Sequence, residues 1–111
     1  FQSMSYRPQL LLDADGSITD LTPAARQLLE YTGDAPMERC FFSHVHQKNL
    51  FQVMRDVAQM VTTGMPRTSW LLRLRTGRRR YQWFKMDVRN RLHQAEHAIC
   101  VDVTPITPAL A

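Results

Sequence analysis

Residues 67–92 repeat one pattern on either side of a break: RTSWLLRLR, then Thr76-Gly77, then RRRYQWFKMDVRNRL. Apolar and polar residues alternate through both runs. Successive side chains of a strand point to opposite faces, so a period of two commits both runs to extended backbone with one buried face. Thr76-Gly77 between them predicts a hairpin. Trp70, Leu72 and Leu74 then share an inner face with Phe84, Met86 and Val88, leaving Arg67, Ser69, Leu71, Arg73, Arg75, Tyr81, Trp83, Lys85, Asp87 and Arg89 outside. The β-branched run EHAICVDV (96–103) predicts a further strand, with Ile99, Val101 and Val103 inward and Ala98, Cys100 and Asp102 outward.

The rest of the chain must supply what covers that inner face. LLLDADGSITDL (10–21) reads as two short strands around an Asp-Ala-Asp-Gly turn. TPAARQLLEYTG (22–33) reads as a short helix, with Thr22 as N-cap, Pro23 in the first turn, an apolar stripe of Ala25, Leu28 and Leu29, and Gly33 at its end. Residues 34–49 are irregular, with one helical turn expected around Phe41–His44. Asn49 is expected to cap a helix over 50–64, with Leu50, Val53, Met54, Val57, Met60 and Val61 on its apolar face and Gly64 and Pro66 stopping it. Two strands, then helices, then three strands predict an α+β domain: a five-stranded antiparallel sheet with helices packed on one face, in the order β-β-α-α-α-β-β-β.

Composition narrows the function. At 111 residues a single domain is expected. Phe1–Ser3 before Met4 read as an expression-tag remnant, 4–104 as the domain and 105–111 as a Pro-rich exit. No stretch resembles a membrane span or a secretory signal, so a cytoplasmic location is expected and Cys40 and Cys100 are expected to be free, buried thiols. Residues 67–91 carry eight Arg and Lys85 against Asp87 alone. This charge either meets an anionic partner or lies over a half-buried sheet with its stems covering apolar surface.

The order of elements, with these residues, resembles the PAS family of sensory modules. Asp15-Gly16-Ser17-Ile18 is similar to the family's DG-x-I hairpin, and AARQLLEYTG (24–33) to its A-x-x-x-L-x-G-Y helix. FFSHVHQKNL (41–50) is similar to the stretch ending HPEDL, with Gln47, Lys48 and Asn49 in place of Pro, Glu and Asp. TGRRRYQWFKM (76–86) is similar to the DG-x-x-x-W hairpin, and VDVT (101–104) to the D-I-T ending before an output domain. The resemblance spans about residues 10–104. It implies signal transduction, as in bacterial two-component-like signalling, a homodimer, and a C-terminal effector domain.

It also implies candidate residues. A small, mostly apolar ligand would lie between sheet and helices, against Leu12, Leu28, Phe42, Met54, Val57, Leu72, Phe84, Met86, Ile99 and Val101; the same residues could instead fill a closed core. On the outer face Leu71, Tyr81, Trp83, Ala98 and Cys100 form an apolar patch framed by Arg, expected to serve dimerisation or docking. Asp102 and Thr104 carry over as signal-coupling residues.

Cofactors and catalysis find little support. The flavin photosensors of this family need a cysteine in N-C-R-F-L-Q, and Cys40 in ERCFFSH lacks the flanking Asn and Gln. Haem would need an axial His on the long helix, and 50–64 holds none. His44 and His46 have no metal-like partner spacing, and His93 and His97 read as surface residues. No nucleophile or phosphate-loop motif occurs, so no enzyme is expected. Nucleic-acid binding through Arg73, Arg75, Arg78, Arg79 and Arg80 is a weaker alternative, because the RNA-recognition fold has a different strand order. A ligand-free dimerisation module is the other.

Overall fold

The computed structural model describes residues 7–106, so the tag remnant and the end of the exit segment lie outside the described residues. Eight elements follow one another. These are β1 (Gln9–Leu12), β2 (Ile18–Leu21), α1 (Pro23–Leu28), a 3-10 turn (Phe41–His44), α2 (Gln47–Thr63), β3 (Arg67–Arg75), β4 (Tyr81–Arg91) and β5 (Ala98–Pro105). The strands form one antiparallel sheet in the order β2-β1-β5-β4-β3, with the helices on one face. β5 is central although last in sequence, so the sheet closes only when the C-terminal strand inserts between β1 and β4.

Local chemistry sets each boundary. Asp13 Oδ1 accepts from the backbone N–H groups of Asp15 and Ser17, both at 2.9 Å, which folds the β1–β2 turn. Thr22 caps α1 by accepting from Ala25 N at 3.2 Å. α1 ends at Leu28, short of the expected Gly33, because Glu30 itself takes the left-handed conformation (φ 64°) and turns the chain.

α2 starts earlier than expected. His46, not Asn49, is its N-cap: His46 Nδ1 accepts from Lys48 N at 3.0 Å. Asn49 instead holds β3, accepting from Arg73 N at 3.0 Å and from Arg73 Nε at 3.1 Å. Gly64, left-handed at φ 73°, ends the helix as expected.

The β3–β4 connection is a five-residue loop, Thr76–Arg80, closed by Thr76 N donating to Arg80 O at 2.9 Å, rather than a Thr-Gly turn. Gly77 lies where a tertiary contact requires it. Its N–H donates to Leu29 O at 2.9 Å, and a Cβ there would overlap the Glu30 carbonyl oxygen.

The period-two reading holds on β3 and β4. Trp70, Leu72, Leu74, Phe84, Met86 and Val88 are each at most 1 % exposed, and they share one core with Leu10, Leu12, Phe41, Val53, Val57, Met60, Ile99, Val101 and Val103. The α2 stripe needs correction. Val53, Asp56, Val57 and Met60 face the sheet, whereas Met54 is 47 % and Val61 42 % exposed. The helix carries more apolar positions than one face can bury, and its rotation about its own axis follows from packing on β3.

Candidate functional site

The inward candidates lie together. Leu12, Leu72, Phe84, Met86, Ile99 and Val101 are 0–1 % exposed and Val57 is 3 % exposed, while Leu28 and Phe42 are half-buried against the same cluster. Met54 does not join them; it faces solvent from the far side of α2.

The sequence did not mark what lies among these residues. Trp70 stacks on Phe41 with centroids 6.1 Å apart, both rings essentially buried between sheet and helices. Trp70 Nε1 donates to Asp56 Oδ2 at 2.9 Å, and Thr68 Oγ1 reaches the same oxygen at 3.2 Å. Asp56 is 5 % exposed. A carboxylate on the inner face of α2 breaks the apolar stripe. A buried indole N–H needs an acceptor, and Asp56 supplies it.

The outer face divides in two. Leu71 (58 % exposed), Tyr81 (52 %) and Trp83 (38 %) stand out from β3 and β4 as expected. The Arg73 guanidinium lies 4.6 Å from the Trp83 ring centroid, a cation–π contact across the Arg73–Trp83 register pair. His46 meets the Tyr81 ring edge-on at 4.7 Å.

Ala98 and Cys100 correct the expected patch, being 3 % and 1 % exposed. They belong to the central strand, opposite Arg91 and Arg89 of β4, whose Nε atoms are themselves buried. Arginine stems thus cover this part of the sheet. Burial pushes the Cys100 thiol above its ordinary pKa, and the Arg89 guanidinium opposes that shift. Arg91 is fixed by Glu96, 2.9 Å away. Cys40 also departs from expectation: it is exposed, at the start of the 3-10 turn rather than within the core.

The coupling candidates differ. Asp102 accepts from Gln9 Nε2 at 2.9 Å and lies 3.8 Å from both Arg7 and Arg89, tying β1, β4 and β5 at one level of the sheet. Thr104 is exposed and pairs with Lys85 through the ladder. β5 continues to Pro105, one residue into the expected exit, and Ile106 N still donates to Trp83 O at 3.2 Å.

Of the histidines, His44 is buried, with Nε2 donating to Glu38 O at 2.8 Å and Nδ1 3.5 Å from Tyr31 Oη. A carbonyl can only accept, so Nε2 carries a proton. His93 and His97 are exposed. Among the described residues no group of three or more His, Cys, Asp or Glu side chains is arranged to hold a metal ion.

No family model and no curated protein sequence matches the chain. Its backbone, however, superposes on solved PAS domains. The PAS-B domain of Drosophila melanogaster Cycle with bound ethylene glycol matches at TM-score 0.73 and 10 % identity, over 89 % of this chain and 99 % of that one. A PAS domain from Colwellia psychrerythraea matches at TM-score 0.74 and 11 % identity, over 96 % of this chain and 92 % of that one. The PAS domain of the Cronobacter turicensis quorum-sensing receptor RpfR, in complex with BDSF, matches at TM-score 0.70 and 13 % identity, over 91 % and 94 %.

The chain has the PAS fold. At 10–13 % identity the backbone similarity speaks for architecture, and the side chains of this PAS fold must speak for its chemistry. No helix of this PAS fold is long and apolar enough, among the described residues, to cross a membrane.

Proposed function

We propose that this PAS fold is a sensory or signal-transduction module that works by contact through the outer face of its sheet. It pairs there with a second copy and passes changes along β5 into an effector domain, in the cytoplasm. The reading assigns it a binding role and no catalytic residues. One observation carries it: Leu71, Tyr81 and Trp83 expose large apolar side chains from the outer face of adjacent strands, while the inward face is filled by Trp70 and Phe41. Contact surfaces are enriched in Trp, Tyr and Arg, and Arg73 already holds the Trp83 ring in place.

The same residues connect the patch to the exit. Trp83 O accepts from Ile106 N, and Asp102 bonds across three strands upstream of it. A partner that moves Trp83 therefore strains the last ladder bonds of β5. Sedimentation velocity over a concentration series tests the reading. Wild type should dimerise, and Trp83→Glu should stay monomeric with an unchanged circular dichroism spectrum. A wild type that is monomeric at every concentration rejects it.

A second reading is favoured by the similar domains whose structures hold BDSF and ethylene glycol. In it a small apolar molecule is held against Leu12, Leu72, Phe84, Met86, Ile99 and Val101. Native mass spectrometry decides it: a co-purifying mass lost on denaturation supports it, and its absence from repeated preparations counts against it.

A further inference from the structure

The arginines of the β3–β4 region are not equivalent, and their partners separate them. Arg73 is engaged by Asn49 and the Trp83 ring. Arg80 donates to Glu30 Oε2 at 2.8 Å, and Arg78 lies 3.9 Å from the same oxygen. Arg75 and Arg79 have no carboxylate partner among the described residues. Both line a solvent-open groove of about 420 Å³, with Tyr31, Pro36, Thr76 and Gly77 as its other walls. That is within the ~300–1,000 Å³ of small-ligand clefts.

The groove's frame is held from below. Thr76 is 2 % exposed and its hydroxyl donates to Glu30 Oε1 at 2.5 Å. Gly77 N–H donates to Leu29 O, so the loop is pinned to the chain leaving α1.

The backbone adds an independent observation. Arg79 has φ 62°, a left-handed conformation that glycine or asparagine adopts far more readily. Glu30, on the facing loop, is left-handed too, and its carboxylate is used in full by Thr76, Arg78 and Arg80. Arg79 thus holds a conformation that costs a side-chain-bearing residue, at a position whose side chain lines the groove.

We propose that this groove binds a small phosphate-bearing anion, with Arg75 and Arg79 as the binding cations. Guanidinium matches phosphate oxygens in a fixed fork, and two such forks lining one groove favour a compact dianion over chloride. An extended polyanion would use all five arginines; here three are already occupied.

The test is titration of the 15N-labelled protein with inorganic phosphate against sodium chloride of equal ionic strength, followed by amide shifts. Saturable shifts confined to Tyr31, Thr76, Gly77 and Arg79 are expected, lost at least tenfold in affinity in Arg75→Gln and in Arg79→Gln. Arg79→Gly separates site from fold: it should raise the melting temperature while losing phosphate binding. Shifts identical in phosphate and chloride, or phosphate binding that survives both Gln variants, overturn the proposal. So does a DNA duplex bound equally well by wild type and Arg75→Gln/Arg79→Gln, with phosphate inert.

Discussion

Trp70 Nε1 and Asp56 Oδ2 are hydrogen-bonded at 2.9 Å inside the core, joining β3 to the inner face of α2. Burying an indole of Trp70's size removes roughly 150–250 Å² of apolar surface, worth about 4–6 kcal/mol at ~25 cal/mol per Å². That gain requires an acceptor for its N–H, and the acceptor is a carboxylate that would itself be costly to bury unpaired. Trp70 therefore depends on Asp56, whose other carboxylate oxygen is held by Arg55 at 3.3 Å.

Asp56→Ala should leave the Trp70 N–H and the Thr68 hydroxyl without their common acceptor. The expected loss is about 2–3 kcal/mol, the cost of orphaning buried donors to a charged group. Urea denaturation followed by far-ultraviolet circular dichroism measures it. Asp56→Asn retains a carbonyl acceptor and should lose less. Equal losses for the two variants would show that the hydrogen bond contributes little.

His46 predicts a pH dependence. Burial, with the nearby Arg73 and Lys48 charges, lowers its pKa below 6.5. Its Nδ1 must also be unprotonated to accept from Lys48 N. A base with a depressed folded pKa favours the folded state when neutral. Its contribution is fully present above pH 6.5 and is lost as pH falls through the lower folded value. His46→Asn keeps a side-chain cap without a titrating ring, so its stability should be flatter with pH in this window. Thermal melts from pH 7.5 downward check this; parallel wild-type and variant curves would remove His46 as the cause.

Gly77→Ala should destabilise by about 1–3 kcal/mol, the usual cost of forcing an extra carbon into filled space. The added Cβ meets backbone, the Glu30 carbonyl oxygen, which cannot rotate away. Amide exchange at Gly77, Thr76 and Glu30 should accelerate together, because one hydrogen-bonded junction holds both loops. A stability unchanged from wild type would show that the loops can separate without consequence.

Acid should weaken the same junction. Hydrogen bonds from Arg80 and Thr76 hold the Glu30 carboxyl below its usual pKa. Its contribution is present above pH 4.5 and is lost as pH falls through the folded value. Glu30→Gln should therefore flatten the acid limb of the stability profile below pH 4.5, read by urea denaturation at successive pH values. An acid limb as steep as wild type would assign the acid sensitivity to other carboxylates.

By itself the sequence determined what is local. Alternation in 67–75 and 81–91 set which side chains of β3 and β4 face inward, because the period of a strand is fixed by backbone geometry and needs no partner. Asp13, Thr22 and Gly64 set their turns and caps for the same reason: the turn and capping bonds themselves reach only a few residues along the chain. The PAS fold itself was legible because these short-range signals occur in order. Only the tertiary structure decided how α2 is rotated, and so buried Val53 and Asp56 while exposing Met54. It also placed β5 at the centre, where Arg89 and Arg91 cover Cys100 and Ala98 that alternation assigned to open surface. And it divided the arginines into those held by Glu30, Asn49 and Trp83 and those left facing the groove. Partners distant in sequence make each of these choices, and no period along the chain encodes them.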